Sequence, residues 1–164
     1  MRLREYTVRV VTKTRVHENS EVEWFGLYAS KEEHVAEILE HDQPVCVGRV
    51  KKMSLGGYAV SVITKMRIHE DSVVKSLTLV ADEKCFSRIL EEGDSSIELG
   101  RIRLFGFCVP REIRRKLRYT LVDGKGKEVL GEGNDEREVE ENIFLRNKTA
   151  MFVLFLAMCF SYYR

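Results

Sequence analysis

The chain has 164 residues with a formal net charge of +1, so its overall charge gives no long-range pull toward a polyanion. Hydrophobic residues make up 44% and charged residues 32%, which excludes a disordered composition and supplies enough apolar material for a core. With Gln43 the only glutamine, the charge-rich mixture has a thermophile-like cast.

The opening, MRLREYTVRV, lacks the apolar run of a secretory signal, which predicts a cytoplasmic chain. Immediately after it comes an internal duplication. YTVRVVTKTRVHENSEV at 6–22 and YAVSVITKMRIHEDSVV at 58–74 share ten of seventeen residues at a constant offset of 52. Alternation within each segment predicts strands. In the second, Tyr58, Val60, Val62, Thr64, Met66 and Ile68 take one face and Ser61, Ile63, Lys65, Arg67 and His69 the other. HENS and HEDS supply turn chemistry, and VEWFGLYA and VKSLTLVA read as second strands. Helices are expected next. Ser30 and Glu33 have capping-box spacing ahead of Val35, Ile38 and Leu39, and Asp82 precedes the stripe Cys85, Phe86, Ile89 and Leu90. PVCVGRV and SIELGRI return as third strands, with Gly48 and Gly100 again 52 apart and Gly56-Gly57 linking the halves.

The expected fold is therefore α+β and predominantly antiparallel. Two ββαβ repeats, at about 5–54 and 58–107, would form a pseudo-twofold barrel or sheet within a single domain, 1–164. The segment EEGDSSIEL is similar to the helix-Gly-Asp-strand junction of cradle-loop barrels, which implies a closed architecture. An open sheet with two helices on one face is the alternative.

Residues 108–164 are not repeated. Pro110 suits the first position of a short helix on which Arg111, Arg114, Arg115 and Arg118 would share a face. LRYTLVDGKGKEVLGEG reads as a hairpin turning at Asp123-Gly124. Glu128, Glu132, Asp135, Glu136, Glu138, Glu140 and Glu141 form an acidic link read as a solvated loop, able to pair with the arginines. The run at 151–160 is wholly apolar and reads as a buried helix, or failing that an oligomer interface. It is short for a membrane span, so a membrane partner is not expected. This hairpin, acidic link and final NKTAMFVLFLAMCFSYYR resemble the end of tubby-like and phospholipid-scramblase-like domains, where such a helix fills a twelve-stranded barrel. The helices inside the repeats depart from that pattern.

Cys46, Cys85, Cys108 and Cys159 are spaced as free thiols, and neither a metal site nor a cofactor is expected. Walker, dinucleotide-binding, nucleophile-elbow and zincin motifs are missing, and no catalytic residue stands out. The strongest chemical signal is Lys13, Arg15, His17 and its copy Lys65, Arg67, His69, a row of cations on alternate strand positions. Guanidinium, ammonium and imidazole donors in a row suit phosphate or carboxylate. The blander reading is a charged solvent face paired with Glu18 and Glu70. The expected function is a non-enzymatic binding module for an anionic ligand or nucleic-acid backbone, with Arg111, Arg114, Arg115 and Arg118 as a second basic cluster. The alternatives are an oligomeric scaffold using the C-terminal helix, and an enzyme using His17 and His69 at the pseudo-twofold axis.

Overall fold

The computed structural model describes residues 1–13 and 20–129. Every paired strand in it runs parallel to its neighbours, which overturns the antiparallel expectation and with it the two-repeat barrel. The first sheet has the order β1 (Arg2–Arg4), β3 (Phe25–Ala29), β5 (Lys52–Gly57), β8 (Ser76–Val80) and β10 (Phe107–Cys108). Neighbours in space are thus successive passes of the chain, each pass being one coil of a parallel stack. The second side of the coil carries β2 (Glu21–Val22), β4 (Val45–Val50) and β6 (Met66–Ile68) as one sheet. It also carries β7 (Val73–Val74), β9 (Ile97–Arg103) and β11 (Leu117–Val122) as another.

Short helices connect the two sides. They are a 3-10 turn (Glu5–Arg9) with α1 (Val10–Lys13), a 3-10 turn (Glu32–His34) with α2 (Ala36–Glu40), and a 3-10 helix (Tyr58–Lys65). A 3-10 turn (Glu83–Phe86) with α3 (Ser87–Glu91), and α4 (Arg111–Arg114), complete the set. Met1–Val129 is one compact unit.

Stacking in register explains the duplication. Arg2 pairs with Gly26, Gly26 with Ser54, and Ser54 with Thr78, steps of 24, 28 and 24 residues. Two successive steps make 52, so the sequence repeat is two coils. Residues 52 apart are related by translation along the stack, about 10 Å, with no twofold between them. The core forms as columns: Leu3, Leu27, Leu55 and Leu79 lie side by side, as do Phe25, Met53, Leu77 and Phe107. Leu27, Leu55, Leu79, Phe25, Met53, Leu77 and Phe107 are all buried. No single coil could bury these side chains, so stability comes from neighbour contacts.

The segments read as first strands are largely helical. Between 58 and 65 the alternation competes with a second pattern: Ala59, Val60, Val62 and Ile63 also fit helical spacing, and all four are buried. Ser61 donates to the Tyr58 carbonyl (2.6 Å) and Thr64 to the Ser61 carbonyl (2.9 Å), the way hydroxyls settle into a helical turn. Gly57 ends β5 with φ 56°, and a side chain there would collide with the Ala29 carbonyl. The chain therefore turns out of the sheet before the alternating run begins. The Ser30 capping box is not formed either; Lys31 holds the N-cap position.

The third strands fall where the sequence places them, each with an irregularity. Val45, Val47 and Val50 all face inward, as do Ile97, Leu99 and Ile102. The odd spacing in each set requires an extra residue, and the register of β4 with β6 and of β9 with β11 skips at Val47 and Leu99. Gly48 (φ 68°) and Gly100 (φ 73°) supply the left-handed residue beside each bulge. After β11 the chain reverses: the Asp123 carboxylate accepts from the Lys125 and Lys127 amides, and Val122 bridges Glu128 antiparallel. The rest of that hairpin, Glu132, Asp135, Glu136, Glu138, Glu140, Glu141, Cys159 and the apolar run 151–160 lie outside the described residues. Among the described residues no helix is long and apolar enough to cross a membrane.

Two glycine substitutions should separate conformational from steric cost. Gly100→Ala meets no atom and should lose about 1 kcal/mol from the left-handed backbone alone. Gly57→Ala adds the backbone collision and should lose about 3 kcal/mol. Urea unfolding of both variants checks the ratio.

Candidate functional site

Only part of the duplicated basic row can be placed. Lys13 closes α1, a helix where a strand was expected, and Arg15 and His17 lie outside the described residues. In the second copy the three residues are separated by secondary structure. Lys65 ends the 3-10 helix and its ammonium donates to the His41 carbonyl (3.3 Å). Arg67 sits in the middle of β6, opposite Cys46, exposed and with no hydrogen bond or ion pair among the described residues. His69 follows β6; its amide donates to the Gly48 carbonyl (3.2 Å), and its Nδ1 accepts from the Asp71 amide (3.2 Å). That bond puts the proton of a neutral ring on Nε2, which is left as a donor.

Arg67 and His69 line a groove of about 470 Å³ together with Cys46, Glu70, Ser96 and Glu98. Its cause is a count of residues. Seven positions separate Met66 from Val73, but four separate Ile97 from Arg101 on the next coil. The surplus becomes the turn at 69–72, and the strand changes partners across it: β6 pairs back with β4, β7 pairs forward with β9. The side of the coil is split there. β6 and the first half of β9 face one another unpaired, and the split closes where Val73 meets Arg101.

The turn is held from both flanks. Ser72, buried, donates from Oγ to the Val50 carbonyl (3.0 Å). Asp71 Oδ2 lies 3.7 Å from an Arg49 guanidinium nitrogen, and Arg101 donates to the Asp71 carbonyl (3.5 Å). Arg49 and Arg101 are the 52-related arginines of the two Gly-Arg pairs. The offset alone pointed to them, but nothing in the sequence said they would flank the turn. Glu70, the expected partner of the basic row, is exposed and makes no ion pair among the described residues; Glu18 lies outside them.

The second basic cluster is not one surface. α4 is a single turn, so Arg111 and Arg114 lie on it while Arg118 lies on β11. Arg114 donates from Nε to the Val109 carbonyl (3.0 Å) and stacks over Phe107. Arg118 pairs with Glu98 at 2.6 Å. Nearby, Lys116 bonds the Glu92 carbonyl (2.7 Å) and Asp94 (3.0 Å), holding the Asp94 carboxyl below its usual range. That bond fastens the segment read as a barrel junction.

The enzyme expectation needed His17 and His69 to meet at a twofold axis, and the repeat has none. Among the described residues no His, Cys, Asp and Glu cluster could hold a metal. Cys85 is buried, Cys46 and Cys108 half-buried, and burial pushes the Cys85 and Cys108 thiols up.

A titratable cluster escaped the sequence reading. His34, expected at the surface, is 3% exposed. Its Nδ1 lies 2.7 Å from Glu5 Oε2, which also accepts from the Ser30 hydroxyl (2.8 Å) and amide (3.1 Å). Glu5 holds φ 53°, rare for a residue with a side chain. Three donors on one carboxylate oxygen hold it there, fastening coil one to coil two. Known protein families, curated proteins and solved structures were all compared with the chain, and none matches.

Burial pushes the Glu5 carboxyl up, but the Ser30 hydroxyl and amide and the His34 imidazole outweigh it, and the net shift is downward from 4.5. A lowered carboxyl stabilises the fold fully above the unfolded value and loses that contribution as pH falls through the folded one. Ser30→Ala should therefore cost about 1 kcal/mol at pH 7. The gap to wild type should shrink near pH 3, read by urea unfolding at the two pH values.

Proposed function

We propose that this chain is a non-enzymatic binding module whose site is the split between β6 and β9, and that it takes a carboxylate or phosphate on Arg67. The observation that carries this is Arg67 itself. An exposed arginine in the wall of a groove, without a carboxylate among the described residues, keeps its whole planar fork for a ligand. His69 stands two residues on with Nε2 as a further donor. Both residues recur in the first copy, as Arg15 and His17. Glu98, the nearest acidic wall residue in register, is neutralised by Arg118.

Nucleic acid is the weaker ligand. Arg114 and Arg118 are occupied within the fold, so a phosphate chain would find one free guanidinium in the groove rather than a stripe. Titration with inorganic phosphate, followed by the Arg67 side-chain NMR signal, tests the reading. Arg67→Ala should lower the affinity at least tenfold, about 1.4 kcal/mol, with unchanged stability. A salt slope near one is expected, against several for a polyanion crossing many cations. An unmoved Arg67 signal at saturating phosphate would sink the proposal.

A further inference from the structure

We infer that the anion arrives on an extended peptide, which enters the split as an added strand between β6 and β9. This rests on the reading of Arg67 above, and adds the class of ligand to it.

The backbone carries the argument. In a parallel strand both polar groups of one residue point to the same neighbour, and those of the next residue point the other way. His69 donates its amide to Gly48 on β4, so by this parity the groups of Ile68 point into the split. Ser95 and Ile97 donate to the Arg115 and Lys116 carbonyls on the opposite flank, so those of Glu98 also point into the split. Neither Ile68 nor Glu98 has a strand partner there among the described residues. Two facing edges with free donors and acceptors are what a captured strand requires, and a free phosphate would leave them unused.

The walls define the side chains. Ile63, Met66, Ile68 and Ile97 give the groove an apolar lining, while Arg67 and Glu70 stand toward solvent, unpaired among the described residues. A strand with period two satisfies both: branched apolar residues inward, an acidic residue outward against Arg67, and a basic one two positions on toward Glu70. The peptide acetyl-Thr-Val-Glu-Val-Lys-Thr-amide has this pattern.

Amide hydrogen exchange on the full chain, with that peptide at saturation, tests it. Exchange at Ile68 and Glu98 should slow about tenfold or more. N-methylation of alternate peptide amides, which keeps every charge, should weaken binding by at least tenfold. Arg67→Ala should weaken the unmodified peptide similarly. If phosphate binds through Arg67 but the peptide does not, or the peptide binds equally well when methylated, or binding leaves both amides unprotected, the added strand is wrong and the anion site stands. If neither phosphate nor peptide binds, both readings fall. An adapted groove on a folded Arg67→Ala variant is confirmed beforehand by its unchanged urea midpoint.

Discussion

Register along the first sheet is the constraint from which everything else follows. Leu3, Leu27, Leu55 and Leu79 occupy one column, Phe25, Met53, Leu77 and Phe107 the next, and a slip of one residue in any coil would turn a buried column to solvent. Because that side cannot slip, differences in coil length must be absorbed elsewhere. They appear on the second side as skips at Val47 and Leu99 and as the turn at 69–72. The split between β6 and β9 is thus the place where a surplus of residues leaves the sheet.

A translational repeat also changes what duplication can accomplish. A twofold would bring two copies of a side chain together at an axis and could assemble one site from both. Translation by two coils places copies on the same side of the stack, about 10 Å apart. Arg49 and Arg101 show the consequence. They do not meet, but they lie on either side of a turn belonging to the coil between them, and each contacts Asp71. Equivalent residues become flanks of an intervening segment. Chemistry that needs two identical groups on one atom is poorly served by this arrangement; recognition along an edge is well served.

Much of this was visible in the residues, and the limits are physical. The 52-residue offset, the third strands at 45–50 and 97–103, the short helices near 36–40 and 87–91 and the reversal at Asp123 all have local signatures. The direction of pairing has none. Alternation reports a half-buried strand, and HEDS reports a turn, but neither says whether the chain reverses there or merely changes partner. Residues 58–65 were misread because Ala59, Val60, Val62 and Ile63 satisfy a two-residue and a helical period at once, and only the backbone at Gly57 decides between them. Arg67 and His69 stood out because they recur. Glu5 did not, since nothing in EYTVR signals a carboxylate that reaches Ser30 and His34 on the next coil.

An unpaired edge in a parallel stack invites association between copies, and the groove is built in a way that limits it. β6 is three residues long, and the Met66 and Ser96 amides are already taken by the Ile63 and Gly93 carbonyls. What is left on the two edges is short, recessed and bordered by Arg67, Glu70 and the Glu98–Arg118 pair. A long flat strand from another folded molecule would have to desolvate those charges to reach the two free edges, whereas a short flexible peptide can seat between them with its own charges matched. The same features that keep the edge from pairing indiscriminately therefore select for a narrow, extended ligand with an acidic group at one position. Selectivity here comes from the depth and shortness of the edge, and Arg67 sets which peptide is retained.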